Sequence, residues 1–185
     1  MKELSLNVLD ITQNSISAGA KNIGISLIED DNGMLSISIK DDGCGMSRET
    51  LENVINPFYT TRKTRKVGMG IPLFKLAAEQ TGGSLTIESR TVEEVPQGHG
   101  TVITAVFDTK HMDFTPVGDM VSTVCTIIQG HPEVDYFFTH KGKDFEVGLD
   151  TAELRKTLGE DIPLSEFEVI NWIAEYLKEQ YNEQK

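Results

Sequence analysis

Apolar and polar residues alternate through two neighbouring stretches of the chain, at Ile23, Ile25 and Leu27 and again at Leu35, Ile37 and Ile39. A period of two predicts β-strands over residues 21–30 and 34–41. Asp31-Asn32-Gly33 between them predicts a hairpin turn, because Asn-Gly tolerates positive φ. The preceding segment, residues 4–18, has helical periodicity with apolar Leu4, Val8 and Ile11, supported by Leu9 and Ile16, and stops at Gly19. A short helix is expected over 47–55. Residues 56–67 are polar, basic and irregular. A further helix over 71–80 halts at Thr81-Gly82-Gly83. Strands over 84–89 and 101–107 follow, joined by a loop holding Pro96 and Gly98. One helix, a hairpin, helices and a second hairpin predict an α/β (α+β) two-layer sandwich: a mixed sheet with helices on one face.

Beyond a joint at 108–116 the pattern restarts. Thr115-Pro116 reads as an N-cap with proline at the first helical position, opening a helix to about Gln129. Strands are expected over 134–140 and 144–149. Asp150-Thr-Ala-Glu153 and Ser165-Glu-Phe-Glu168 both have capping-box spacing and predict two helices. The second carries Phe167, Ile170, Ile173, Ala174 and Leu177 on one apolar face. The expected organisation is residues 1–110 as one domain and residues 111–185 as a small α-β-β-α-α C-terminal domain.

Composition narrows the function classes. Hydrophobic residues make up 38% of the 185 and charged residues 25%, which fits a soluble globular protein. No apolar run approaches the roughly 20 residues that span a bilayer. The N-terminus lacks the apolar core of a signal peptide, so the cytoplasm is the default location. Cys44 and Cys125 lie far apart and give neither a disulfide framework nor metal spacing. The net charge of -12 argues against a general nucleic-acid binder, which needs clustered cations. Residues 1–110 contribute only -3, and four of their 11 bases are Arg62, Lys63, Arg65 and Lys66. Such a basic knot suits a polyphosphate, and equally suits a solvated loop.

Three segments carry candidate chemistry. Asn7, Asp10, Asn14 and Ser17 are spaced 3, 4 and 3 apart and form one polar stripe on the first helix. An amide and a carboxylate four apart can hold a hydrated magnesium ion and a water; the same stripe also fits a plain solvent face. In the second strand, Asp41 has the parity of Leu35, Ile37 and Ile39, so a carboxylate continues the core face. It runs into Asp42-Gly43-Cys44-Gly45, where glycines permit close backbone approach to a flat ligand. A carboxylate held there can accept a hydrogen bond from the exocyclic amine of adenine, where guanine presents a carbonyl. The alternative is a turn whose acid curls to solvent. Last, Val67-Gly68-Met69-Gly70-Ile71 runs straight into a helix, and glycines at a helix N-terminus expose N–H groups toward an anion.

Taken together, Asn14-Ser-Ile-Ser-Ala-Gly-Ala20, Asp41-Asp-Gly-Cys-Gly-Met46, Asn56-Pro-Phe-Tyr-Thr-Thr61, Gly68-Met-Gly70 and Gly100-Thr101 resemble the GHKL ATPase superfamily in order and approximate spacing. That group joins gyrase, heat-shock chaperone ATPases, histidine kinases and mismatch-repair ATPases. The first half is most similar to the mismatch-repair group, whereas the PFYTT segment and GMGI are similar to histidine kinases and anti-sigma kinases. The resemblance implies the Bergerat fold with ATP and Mg2+ as cofactors. It implies magnesium coordination by Asn14 and adenine acceptance by Asp41, with Gly43, Gly45 and Met46 around the base and Thr101 supporting it. It further implies phosphate capping by Gly68, Met69, Gly70 and Ile71, a lid anchored by Phe58, and lid contacts from Thr61, Arg62 and Lys63. Asp10 matches the position where hydrolytic members carry a glutamate that activates water; it is one methylene shorter, and is the candidate general base.

A histidine kinase acting on itself is not expected. The chain begins at the first helix of the ATP-binding segment, and His99, His111, His131 and His140 fall in predicted loops, strands or their ends. The expected function is ATP binding by a stand-alone regulatory protein kinase or slow ATPase acting on an unidentified partner protein, with no nucleic acid or membrane involved. An oligomer is compatible with the chain. The competing readings are a non-catalytic ATP-sensing interaction module and, third, a mismatch-repair-like ATPase.

Overall fold

A computed structural model describes residues 3–56, 69–159 and 161–183. Helix α1 (Leu4–Ser17) leads into the hairpin β1 (Asn22–Glu29) and β2 (Met34–Asp41), then α2 (Arg48–Asn53) and α3 (Gly70–Gln80). Strands β3 (Ser84–Arg90) and β4 (Gly100–Asp108) form the second hairpin. The C-terminal stretch supplies α4 (Met120–Gly130), β5 (Asp135–Lys141), β6 (Glu146–Asp150), α5 (Thr151–Leu158) and α6 (Phe167–Asn182).

The six strands form one mixed sheet in the order β3-β4-β2-β1-β5-β6. Every neighbouring pair is antiparallel except β1 and β5, which run parallel with Asn22 opposite Asp135. Residues on either side of position 110 therefore share a sheet. Alternation assigns the faces: Ile23, Ile25, Leu27, Leu35, Ile37, Ile39, Ile103, Ala105, Phe107, Tyr136 and Phe138 are buried beneath the helices. Ser26, Ser36, Ser38, Thr104 and Thr139 occupy the opposite face, and Ser38 and Thr104 share a hydrogen bond of 3.0 Å there. Phe74 of α3 packs on Phe107 at 5.7 Å between ring centroids.

Three sequence expectations are corrected. Thr115-Pro116 does not open a helix. The carbonyls of Pro116 and Val117 instead accept from the N–H groups of Leu4 and Ser5, at 2.9 and 2.8 Å, and so satisfy amides that every helix start leaves unpaired. Gly118, at φ 82°, then turns the chain, and Asp119 caps α4 by accepting from the Ser122 N–H at 2.9 Å. The capping box at Ser165 does not form: Glu166 is the N-cap of α6, without a side-chain cap bond. Consequently Phe167 is 73% exposed, and Val169, Ile173 and Leu177, each four apart, make the buried stripe. By contrast Asp150 caps α5 through the Glu153 N–H.

Candidate functional site

The end of β2 places two adjacent carboxylates on opposite sides. Asp41 is opposite Ile23 on one side and Thr101 on the other, and it is only 8% exposed. Its Oδ2 accepts from the Ser15 hydroxyl at 2.6 Å, and its Oδ1 accepts from the N–H groups of Gly43 at 2.9 Å and Thr101 at 3.2 Å. A carboxylate has about four acceptor positions, so three donors among the described residues fix the group while leaving room for one more. Asp42 faces the other way. It accepts from the Lys21 and Asn22 N–H groups and the Asn22 side chain at 2.7–2.9 Å, pinning the start of β1. Burial is the largest single influence on the Asp42 carboxyl and raises its pKa, but the hydrogen bonds from Asn22 and Lys21 together hold it below the usual carboxylate value.

The glycine loop after Asp41 is fastened on three sides. The Cys44 N–H donates to the Ala18 carbonyl of the α1 terminus at 2.9 Å. The Met46 N–H donates to the Ser89 hydroxyl at 2.8 Å. The His99 Nδ1 lies 2.6 Å from the Gly43 carbonyl, which can only accept, so this nitrogen carries the proton. Gly45 has φ 74°, and a Cβ there would run into the Arg90 carbonyl. A Cβ at Gly43 would come within 2.9 Å of Ala18 Cβ. Both glycines are thus required by the chain's own packing, whatever lies in the pocket. Thr101 is 8% exposed, and its hydroxyl pairs with that of Ser89 at 2.8 Å.

On α1 the polar stripe changes character along its length: Asn7 is buried, Asp10 and Asn14 are half-buried and Ser17 is exposed. The N-terminus of α3 lies across its middle. A Cβ built on Gly70 would sit 3.3 Å from the Asp10 Cβ and 3.9 Å from the Asn14 Nδ2. The absent side chain lets the first turn of α3 pack close against α1 beside a carboxylate and an amide, and the first-turn N–H groups of Gly70 and Ile71 have no intrahelical acceptor. Pro72, lacking an N–H, is placed where helices tolerate it. This donor and acceptor set fits a phosphate with its magnesium ion: helix N–H groups suit the anion, and an amide oxygen suits a cation that keeps most of its waters. Among the described residues no group of three or more His, Cys, Asp or Glu side chains could hold a metal ion.

The structure thus gathers Asp10, Asn14 and Gly70 at one end and Asp41, Gly43, Gly45, Met46 and Thr101 at the other. Met69 precedes α3 and is half exposed, whereas Ile71 is buried in the core. Phe58, Thr61, Arg62, Lys63 and Gly68 lie outside the described residues. Ser15, Ser89 and His99 also hold the site together, and their pattern gave no separate signal; Ser15 is one more hydroxyl among the polar residues of α1.

A helix carrying an amide and a carboxylate, a buried strand-end Asp and a glycine-led helix thus lie on one face of a mixed sheet in an α/β sandwich. Residues 1–111 match the family model for histidine kinase-, DNA gyrase B- and HSP90-like ATPases, and the chain belongs to that family. A sensor protein from Shewanella frigidimarina is 30% identical over 60% of this chain and 17% of its own length. Sporulation kinase E from Bacillus subtilis is 31% identical over 55% of this chain and 13% of its own. The chain thus spans less than a fifth of the length of these curated relatives. In fold it is similar to the ADP-complexed MutL ATPase domain of Aquifex aeolicus, with a TM-score of 0.56 at 15% identity, covering 85% of this chain and 68% of that one. Coverage of that extent takes in strands and helices beyond residue 111. No described helix is long and apolar enough to cross a membrane.

Proposed function

We propose that this chain binds ATP with Mg2+ between α1, the end of β2 and the start of α3, and that it acts in the cytoplasm as a regulatory protein kinase or slow ATPase on a partner protein. The observation that carries the reading is Asp41: a buried carboxylate with three protein donors and one acceptor position to spare. That position suits the exocyclic amine of adenine and opposes the carbonyl of guanine. Asn14 is the residue to hold the metal, with the Gly70 and Ile71 N–H groups toward the phosphates. Asp10, which lies against Gly70 at the start of α3, is the residue to take a proton from an attacking hydroxyl or water. Family membership and the fold support the nucleotide; the sporulation and sensor relatives support a signalling role.

The test is a calorimetric titration with ATP and Mg2+, and separately GTP, of wild type and Asp41→Asn. ATP should bind well above GTP, and the substitution should weaken ATP by at least about tenfold. Equal affinities in wild type and variant would remove the pocket assignment. Transfer of labelled γ-phosphate to a protein in native extract then distinguishes a kinase from a sensor that binds without transfer.

A further inference from the structure

Helix α6 buries Val169, Ile173 and Leu177 against α4 and the edge strand β6. On a side turned away from that stripe it carries Trp172, 49% exposed, and Tyr176, 38% exposed. Four residues apart, their rings stack nearly parallel, 10° from coplanar with centroids 4.9 Å apart. Two large rings left half in water form a rigid platform, and such side chains anchor interfaces at little conformational cost. Glutamates surround them. Glu168 lies one turn before Trp172, Glu175 three residues after it, and Glu179 and Glu183 continue the row past Tyr176; all four are exposed. Lys178, the single base within α6, acts instead on Asp119 at the start of α4, where its charge helps hold that carboxyl down.

We propose that the Trp172–Tyr176 face of α6 is a docking site for a basic segment of a partner protein. Charge selects the occupant. Residues 111–185 carry a net -9, which repels nucleic acid and anionic lipid. A second copy meeting this face through a two-fold axis sets glutamates against glutamates. Arginine or lysine side chains meet both features: their heads lie over the Trp172 face or pair with the carboxylates, and their stems cover the rings. The site is at the β6 edge of the sheet and does not rest on nucleotide binding.

Trp172 is the one tryptophan in the chain, so its emission reports on this face alone. The probe is a synthetic amphipathic helix of leucine and arginine, with a leucine and glutamate helix as counterpart. The arginine peptide should shift Trp172 emission saturably in the full chain, and the glutamate peptide should not. Combined Glu168→Gln, Glu175→Gln and Glu179→Gln should weaken the arginine peptide at least about tenfold, as should raised salt. Neutralising Glu49, Glu52 and Glu93 instead should leave it unchanged. Tyr176→Ala, which keeps the carboxylates, should weaken binding while the thermal melt is retained. Equal binding by the triple Gln variant, or binding without a Trp172 response, overturns the proposal. So does sedimentation showing self-association that Trp172→Ala abolishes.

Discussion

The Ser15 hydroxyl donates to Asp41 Oδ2 at 2.6 Å, joining the inner side of α1 to the end of β2. Asp41 keeps two backbone donors without it, from Gly43 and Thr101. Ser15→Ala should therefore loosen the carboxylate without releasing it. A hydrogen bond to a charged group contributes about 1.5–3 kcal/mol. The expected result is a drop in melting temperature of several degrees and ATP affinity weakened about threefold to tenfold, read by calorimetry. Unchanged values for both would mean that this bond does not position Asp41.

Gly70 offers a test in which affinity and stability part. Alanine suits a helix better than glycine, which offsets the small shift its Cβ would require of Asp10, so Gly70→Ala should melt within a few degrees of wild type. Its methyl, however, would stand 3.3 Å from Asp10 Cβ and push α3 away from Asp10 and Asn14, the residues assigned to proton transfer and magnesium. ATP affinity should fall at least about tenfold while the circular dichroism melt is preserved. A variant that binds as wild type would place the phosphates elsewhere.

Asp10→Asn separates chemistry from binding. It keeps size and removes a proton acceptor, which should lower turnover about a hundredfold or more and leave the ATP dissociation constant within about twofold. The comparison is single-turnover phosphate release or transfer beside equilibrium titration. If turnover survives, the proton is taken by another group.

Acid stability tests the corrected start of α4. The Ser122 hydroxyl, at 2.6 Å, and then its N–H hold the Asp119 carboxyl below its ordinary value of 3.8, with burial opposing them. A depressed pKa contributes stability above the ordinary value and loses it as pH falls toward the folded one. Asp119→Ala should thus melt a few degrees lower near neutrality, from a cap of about 1 kcal/mol. The two melting curves should converge below about pH 4. A gap that stays constant with pH would contradict this role.

How far these features could be read in advance depended on the range of each interaction. Asp41 was legible because strand parity is local: three residues of the same face precede it. The order of helices and strands, including the α-β-β-α-α run, followed from periodicity for the same reason. The Thr115-Pro116 signature misleads because the carbonyls of Pro116 and Val117 serve α1, more than a hundred residues earlier, and no local pattern announces that. Asp150 and Ser165 carried the same box signature, yet only Asp150 caps, since α6 starts one residue beyond Ser165's reach as an N-cap. Ser15 was hidden among α1's other hydroxyls. Its distinction comes from the strand above it.

The parallel pairing of β1 with β5 has a consequence in time. As the chain leaves the ribosome, β1 finds β2 at once but waits for β5, over a hundred residues later. The first amides of α1 wait similarly for Pro116 and Val117. Late non-local pairing is slow to form. All the assigned site residues have been made by Thr101, yet α1, which carries Asp10 and Asn14, gains the acceptors of its first amides only when Pro116 and Val117 arrive. Nascent chains arrested at residue 112 should accordingly hold ATP more weakly than released full-length chains. Nucleotide competence would then be a late event in the protein's synthesis.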